Sequence, residues 1–394
     1  MSAIQPKILT WARTTAGLSL EDAARALVLP AARGRTGLQR LEAFELGEAE
    51  PTRPLLLKMA KTYRRPLVVF YLAEPPKAGD RGQDFRTLPT REKANPELDA
   101  LVRDIQARQR LVRSVLEDDR PEPLGFIQSA TTDLTAPKLA TRIAECLNFR
   151  VTQYRAAKTD AEAFKYLRET IETSGVYVLL LGNLGTHHTN IPLEAFRGFA
   201  LADEIAPLIV INDQDTRTAW SFTALHELAH LWLGQTGISG NDGENAIEQY
   251  CNDVAGEILL PTSDLQELAS ISRLTPAAAA ERIAEFAKTR NVSRSMVAYK
   301  LFRAGMLTKS VWTALDQRFR AEYLQFKQGQ AETNKNAEGG PDYYTVRRHR
   351  VGQALLQFVR RALDDGTITY TKAGRVLGVK PRGVEPLLAT VGGR

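Results

Sequence analysis

The sequence predicts an α+β fold that is mainly helical, and three observations carry the prediction. Apolar residues recur at helical spacing through most of the chain, from residue 7 to 72 and again after 95. Only two short runs, 176–181 and 208–212, are β-branched or apolar and bounded by Gly and Asn, as buried strands are. A stretch rich in Gly, Gln, Asn and Glu, 328–341, then separates a basic helical tail. The order is an N-terminal bundle of five short helices, a central domain whose helices back a small sheet, and a C-terminal helical tail. We place the boundaries at 1–76, 77–325 and 326–394, which 394 residues accommodate.

Each element has a local reason. Ile8, Leu9, Trp11 and Ala12 begin the first helix, which Gly17 ends. Ser19 caps the second with Asp22 three residues on, and Leu20, Ala23, Ala24 and Leu27 form its apolar stripe. A basic, small-residue loop, 30–37, leads to a third helix at 37–47 and a fourth at 54–63. Pro66 opens a fifth containing Val68, Val69, Phe70, Tyr71 and Leu72. A turn-rich linker at 75–82 precedes Asp84-Phe85-Arg86 and a charged helix at 95–117. On that helix Arg103, Arg108, Arg110 and Arg113 read as a solvated face. Helices follow at 135–146 and 159–173, and 196–203 is compact enough for a third strand between the two runs. His187 and His188 read as surface-loop residues, with a substrate-side role as the alternative. Further helices are expected at 275–290 and 291–303, with Ser293 as N-cap, and from 343 on.

The net charge of +6 favours an anionic partner without identifying one. Its distribution says more. Arg33, Arg35, Arg40, Arg53, Lys58, Lys61, Arg64 and Arg65 crowd the first segment, and Arg347, Arg348, Arg350, Arg360 and Arg361 the last. Cys146 and Cys251 lie far apart in apolar helical settings and read as buried free thiols of a reducing compartment. No apolar run approaches membrane-spanning length and the first residues lack a signal-like core, so a cytoplasmic location without membrane contact is expected.

The chemistry concentrates in residues 222–234, around His226-Glu227-Leu228-Ala229-His230. On a helix, i and i+4 lie one above the other, so both imidazoles can reach one metal ion. Glu227 stands beside the first ligand, where its carboxylate can take a proton from an activated water. Leu225, Leu228, Ala229, Leu231, Trp232 and Leu233 bury the helix, and buried imidazoles and carboxylates are costly unless they coordinate or pair. A third ligand is offered by 247–261. There Glu248 and Asn252 are again i and i+4 on a helix closed by Pro261. Glu248 completes a two-histidine, one-carboxylate set with the fourth position open, and Asn252 can orient a ligand imidazole through its other nitrogen. Glu257 competes, but its neighbours place it nearer the buried end of the helix.

Two resemblances add to this reading. Ala12-Arg13, Gly17-Leu18-Ser19, Ala24, Leu41-Glu42, Glu45, Gly47, Pro51, Leu57 and Ala60 resemble the helix-turn-helix of Xre/Cro-type repressors. That implies DNA as a partner, with the third helix in the major groove. Arg35, Thr36, Gln39 and Arg40 would then face bases or phosphates, with Arg33 nearby. The loop 30–37 is longer than that family usually has.

The central region resembles the ImmA/IrrE family of zinc metallopeptidases, and the whole chain its longer Xre-fused members. The carrying residues are Asp84-Phe85-Arg86, Phe196, Gly198-Phe199, Ile211-Asn212, Phe222-Thr223, the two histidines, Ile247-Glu248, Asn252, Ala255 and Leu259-Leu260-Pro261. The resemblance implies a gluzincin-like helical active site backed by a small sheet, with zinc on His226, His230 and Glu248 and Glu227 catalytic. It implies limited cleavage of a repressor or antitoxin-like regulator in stress or mobile-element control. A homodimer is compatible with it. Tyr250 and His188 are candidates to stabilise an oxyanion. The competing readings are a transcription factor whose peptidase fold senses a metal, ligand or partner without catalysis, and an antitoxin-like binding module.

Overall fold

The computed structural model describes residues 4–32, 34–76, 95–185, 189–239, 246–335 and 342–389, with the backbone alone at 237–239, 324 and 326–335. Arg33, the Asp84-Phe85-Arg86 segment, His187 and His188 lie outside the described residues. The chain divides into two compact units, Met1–Asp104 with Asn183–Asn190, and Ile105–Gly182 with Ile191–Arg394.

In the first unit α1 (Pro6–Thr14), α2 (Leu20–Ala26), α3 (Gly37–Glu45) and α4 (Arg53–Thr62) enclose Ile8, Leu9, Leu27, Leu41, Leu56, Met59 and Tyr63. The fifth helical segment, Leu67–Tyr71, is a 3-10 turn that inserts Phe70 into this core. Its β-branched pair, Val68-Val69, disfavours a longer α-helix. The Ser19 hydroxyl accepts from the Asp22 amide at 3.0 Å, as the cap spacing predicts. Arg13 forks onto Glu45 at 2.7 and 2.9 Å and donates to the Leu18 carbonyl at 2.8 Å, tying α1 to the end of α3. The hydrogen bonds of Glu45 raise the Arg13 pKa despite its burial.

The second unit has a four-stranded sheet in the order β1-β3-β2-β4. The strands are β1 (Tyr177–Leu180), β2 (Gly198–Leu201), β3 (Leu208–Ile211) and β4 (Gly237–Ser239). β1 and β3 run parallel with Tyr177 opposite Leu208, while β2 is antiparallel to β3 and β4, with Gly198 opposite Ile211 and Ser239. The two predicted strands and the third candidate between them all form, and β4 joins them. The first three strands are almost wholly buried, which matches their lack of apolar–polar alternation.

The helices of this unit are most of α5 (Pro96–Asp118), then α6 (Ala136–Cys146), α7 (Val151–Ala156), α8 (Asp160–Thr173), α9 (Arg217–Trp232) and α10 (Ala246–Leu259). They continue with α11 (Pro276–Lys288), α12 (Arg294–Arg303) and α13 (Lys309–Lys335). α9 packs on the sheet, flanked by α8 and α10. Residues 328–335, read from composition as linker, continue α13; Gln, Ala, Glu and Lys there are good helix formers.

The tail folds as α14 (Tyr343–Val351), α15 (Gln353–Asp364), α16 (Tyr370–Leu377) and α17 (Val384–Leu388) around Leu355, Leu356, Val359, Leu377 and Leu387. Four of its arginines are structural cations, whereas Arg361 is exposed. Arg347 donates to the Leu377 and Gly378 carbonyls, Arg348 to Pro386, Arg360 to Leu388, and Arg350 pairs with Asp213 at 2.7 Å. Carbonyls left open at helix ends are natural partners for such groups. On α5, Arg108 is buried and Arg113 pairs with Asp203 and Glu117, so that face is only partly solvated.

Candidate metal centre

The site is built where the sheet hands over to α9. The buried Asn212 side chain, just past β3, donates to the Ile191 and Phe196 carbonyls at 3.1 Å each and accepts from the Gln214 amide at 3.0 Å. The Thr216 hydroxyl then accepts from the Ala219 amide at 3.1 Å and starts α9. From Ala224 to Trp232 every residue of α9 is buried, so this helix is apolar on nearly all sides except for its motif residues.

His226 and His230 lie on one face of α9, their Nε2 atoms 3.1 Å apart. Glu248, in the first turn of α10, presents one carboxylate oxygen to each, at 3.2 Å from His226 Nε2 and 3.3 Å from His230 Nε2. These three residues form a cluster with metal-ligand geometry. Tetrahedral zinc with donors at about 2.0–2.1 Å has donor–donor edges of roughly 3.3 Å. The two Nε2 atoms stand near that separation and Glu248 turns a different oxygen to each; with one atom from each residue, the three donors lie within 4.8 Å of one another, close enough to share one ion. The face that three ligands leave open is where a substrate group would stand.

Burial lowers the His226 pKa, and the neighbouring His230 adds to it against the hydrogen bond from Glu248. At His230 burial is outweighed by the hydrogen bonds of Cys251 and Glu248, and the pKa is raised. Burial would raise Glu248 as well, but both imidazoles act the other way and hold it at about 2. The centre sets one carboxylate against two imidazoles, three largely buried donors that a divalent cation would satisfy together.

The surroundings fix these ligands. Asn252 stands one turn beyond Glu248 on α10 and acts on the His226 imidazole against the effect of its burial. His230 Nδ1 lies 3.4 Å from Gln235 Oε1. The Phe222 ring sits 6.3 Å from the His226 ring, one turn back along α9. Glu257, the competing carboxylate, is held elsewhere: it pairs with Lys300 at 2.7 Å and accepts from the Thr262 amide and hydroxyl. The Tyr250 hydroxyl donates to the Leu134 carbonyl at 2.7 Å, which corrects its candidacy as an oxyanion stabiliser. Cys251 is buried and Cys146 is exposed, the latter a correction to the expectation of two buried thiols.

Glu227 is fully buried, between the two imidazoles in sequence and against β2 in space. A Cβ on Gly198 would meet Glu227 Oε1 at 2.7 Å, Glu227 Cγ at 3.0 Å and Thr223 Cγ2 at 2.6 Å. Only glycine leaves room for that carboxylate beneath the strand. Gly198→Ala should therefore lower the unfolding free energy by about 1–3 kcal/mol. Denaturant titration checks this; an unchanged midpoint would mean that the carboxylate has another place to go.

Residues 182–302 match the family model of the IrrE N-terminal-like domain, a peptidase family, and the match spans His226, Glu227, His230 and Glu248. No curated protein and no solved structure matches the chain. Among the described residues no helix is long and apolar enough to cross a membrane.

Proposed function

We propose that the second unit is a zinc-dependent endopeptidase acting on a regulatory protein partner, a repressor or antitoxin-like protein. The observation that carries it is the convergence of His226, His230 and Glu248, with Glu227 beside them, inside a segment that matches a peptidase family. His226, His230 and Glu248 would hold the ion. Zinc held there would supply an acidified water and a Lewis acid for the scissile carbonyl. Glu227 takes the water proton and passes it to the leaving amine. Gln235, 3.4 Å from His230 Nδ1, would keep that imidazole turned to the centre, and Asn252 would act likewise on His226. A sensor without catalysis would need the three ligands but not Glu227. Dialysis against a chelator should abolish cleavage of proteins encoded next to this one, and zinc should restore it. Cleavage that survives metal removal would sink this reading.

The first unit is proposed as a DNA-binding module. Support comes from α2, capped by Ser19 as its spacing predicts, from α3 at the expected place, and from Arg35, Arg53, Lys58 and Lys61 at its surface. The recognition residues also serve the fold. Thr36 and Gln39 form a capping box at the start of α3, Arg35 pairs with Glu48 at 3.0 Å, and Arg40 donates to the Pro30 carbonyl at 2.6 Å. Arg65 is buried over Trp11, and its positive charge is turned inward. Binding to duplex DNA should weaken with salt, and the slope should fall by about 1 when a phosphate-contacting Arg35 is replaced by Ala. A salt-independent or absent interaction in a gel-shift titration would leave the unit as a docking bundle.

A further inference from the structure

A cleft of about 230 Å³ opens beside the metal centre, between α10, α12 and the start of α6. Two of its lining residues stand beside the centre: the Phe222 ring lies 6.3 Å from that of His226, and Asn252 is one turn along α10 from Glu248. A group entering the cleft therefore reaches Phe222 and Asn252, each one helical turn from a residue of the cluster. The volume falls below the ~300–1,000 Å³ of pockets that enclose whole small ligands, which suits a single side chain. Gly256 and Met296 extend the apolar surface from Phe222.

The charges around the cleft are already matched. Asp253 pairs with Arg303 at 2.8 Å, and Arg303 also hydrogen bonds to Tyr299. Lys300 donates to Glu257 at 2.7 Å and to the Gly256 and Leu260 carbonyls, closing the end of α10. An incoming charge would have to break one of these pairs, whereas an apolar side chain would leave them intact and cover Phe222 and Met296. We propose that this cleft is the subsite for an uncharged, apolar side chain flanking the scissile bond. This inference rests on the peptidase reading, whose own failure the experiment separates.

Gly256 offers the means to test it. A Cβ there would meet nothing nearer than Lys300 Cδ at 3.5 Å, so a side chain can be added that grows into the cleft. Binding to the full-length, zinc-loaded chain is measured by calorimetry for acetohydroxamate, N-acetyl-leucine hydroxamate and N-acetyl-aspartate hydroxamate. The leucine compound should bind roughly tenfold or more tighter than acetohydroxamate, and the aspartate compound should gain nothing. Gly256→Leu should erase the leucine advantage while zinc content and acetohydroxamate binding stay as they were. Ala304→Tyr, placed on the exposed rim where folding is not at stake, should reduce the advantage in the same way. Equal binding of the leucine compound and acetohydroxamate, or a leucine advantage that survives both substitutions, would overturn the subsite alone. If acetohydroxamate itself fails to bind the zinc-loaded protein, the metal-centre reading falls and the subsite with it.

Discussion

Glu227→Gln should lower hydrolysis of the partner protein by about 10²–10⁴-fold while zinc content and unfolding midpoint stay near those of the parent. The expectation follows from the place of this side chain. Glu227 does not belong to the donor triangle, which His226, His230 and Glu248 complete among themselves. It is buried under β2, where Gly198 and Thr223 define its space. Glutamine has the same shape, so the packing survives; what it loses is the capacity to accept a proton and give it back. Replacing a ligand instead, as in Glu248→Gln, would remove the anion that both imidazoles face and reduce zinc retention along with turnover. The two variants thus separate proton transfer from metal binding. Zinc is counted by plasma mass spectrometry and cleavage by the disappearance of intact partner; undiminished cleavage by Glu227→Gln would exclude the general-base role.

The parts of this site that were legible in the sequence are those set by helical period. His226 with His230, and Glu248 with Asn252, are i and i+4 pairs, and one helical turn brings each pair to one face whatever surrounds it. What the sequence could not show are contacts made across elements. Gly198 matters because β2 passes over Glu227, and Gln235 because the chain turns back after α9 toward His230. Cys251 is three residues beyond Glu248 and so shares its face, a signal that could have linked it to His230. β4 is three residues long and too short to carry a pattern. Charge was the most misleading signal, because a count of arginines does not show which carbonyls lie in reach. Arg347, Arg348 and Arg360 bind carbonyls of other helices of the tail, α16 and α17, and Arg13 with Glu45, quoted as a likeness to repressors, is a buried pair joining two helices.

The second large effect is expected far from the metal ligands, at Arg168. This arginine, almost fully buried on α8, pairs with Glu172 at 2.9 Å and donates to the His349 carbonyl at 2.5 Å and to that of Val178. Glu172 in turn accepts the Gln353 and Ala354 amides at 3.1 Å each, capping α15 next to Gly352, whose positive φ leaves no room for a Cβ beside the pair. One ion pair thus fastens the C-terminal helices to α8 and β1. Arg168→Met should cost about 3–5 kcal/mol of unfolding free energy, because it strands a buried carboxylate. Adding Glu172→Gln removes that charge and keeps an oxygen for the α15 amides, so the double variant should recover much of the loss. Burial already raises the Glu172 pKa against the pull of Arg168, and without the guanidinium it should rise further. A carboxyl whose folded pKa is raised favours the folded state at low pH, and that contribution is lost as pH rises through the raised value. The deficit of Arg168→Met should therefore be largest at neutral pH and shrink as the solution is acidified, in urea titrations at a series of pH values. A deficit independent of pH would mean that the packing of the arginine stem, not its charge, holds these helices to the sheet.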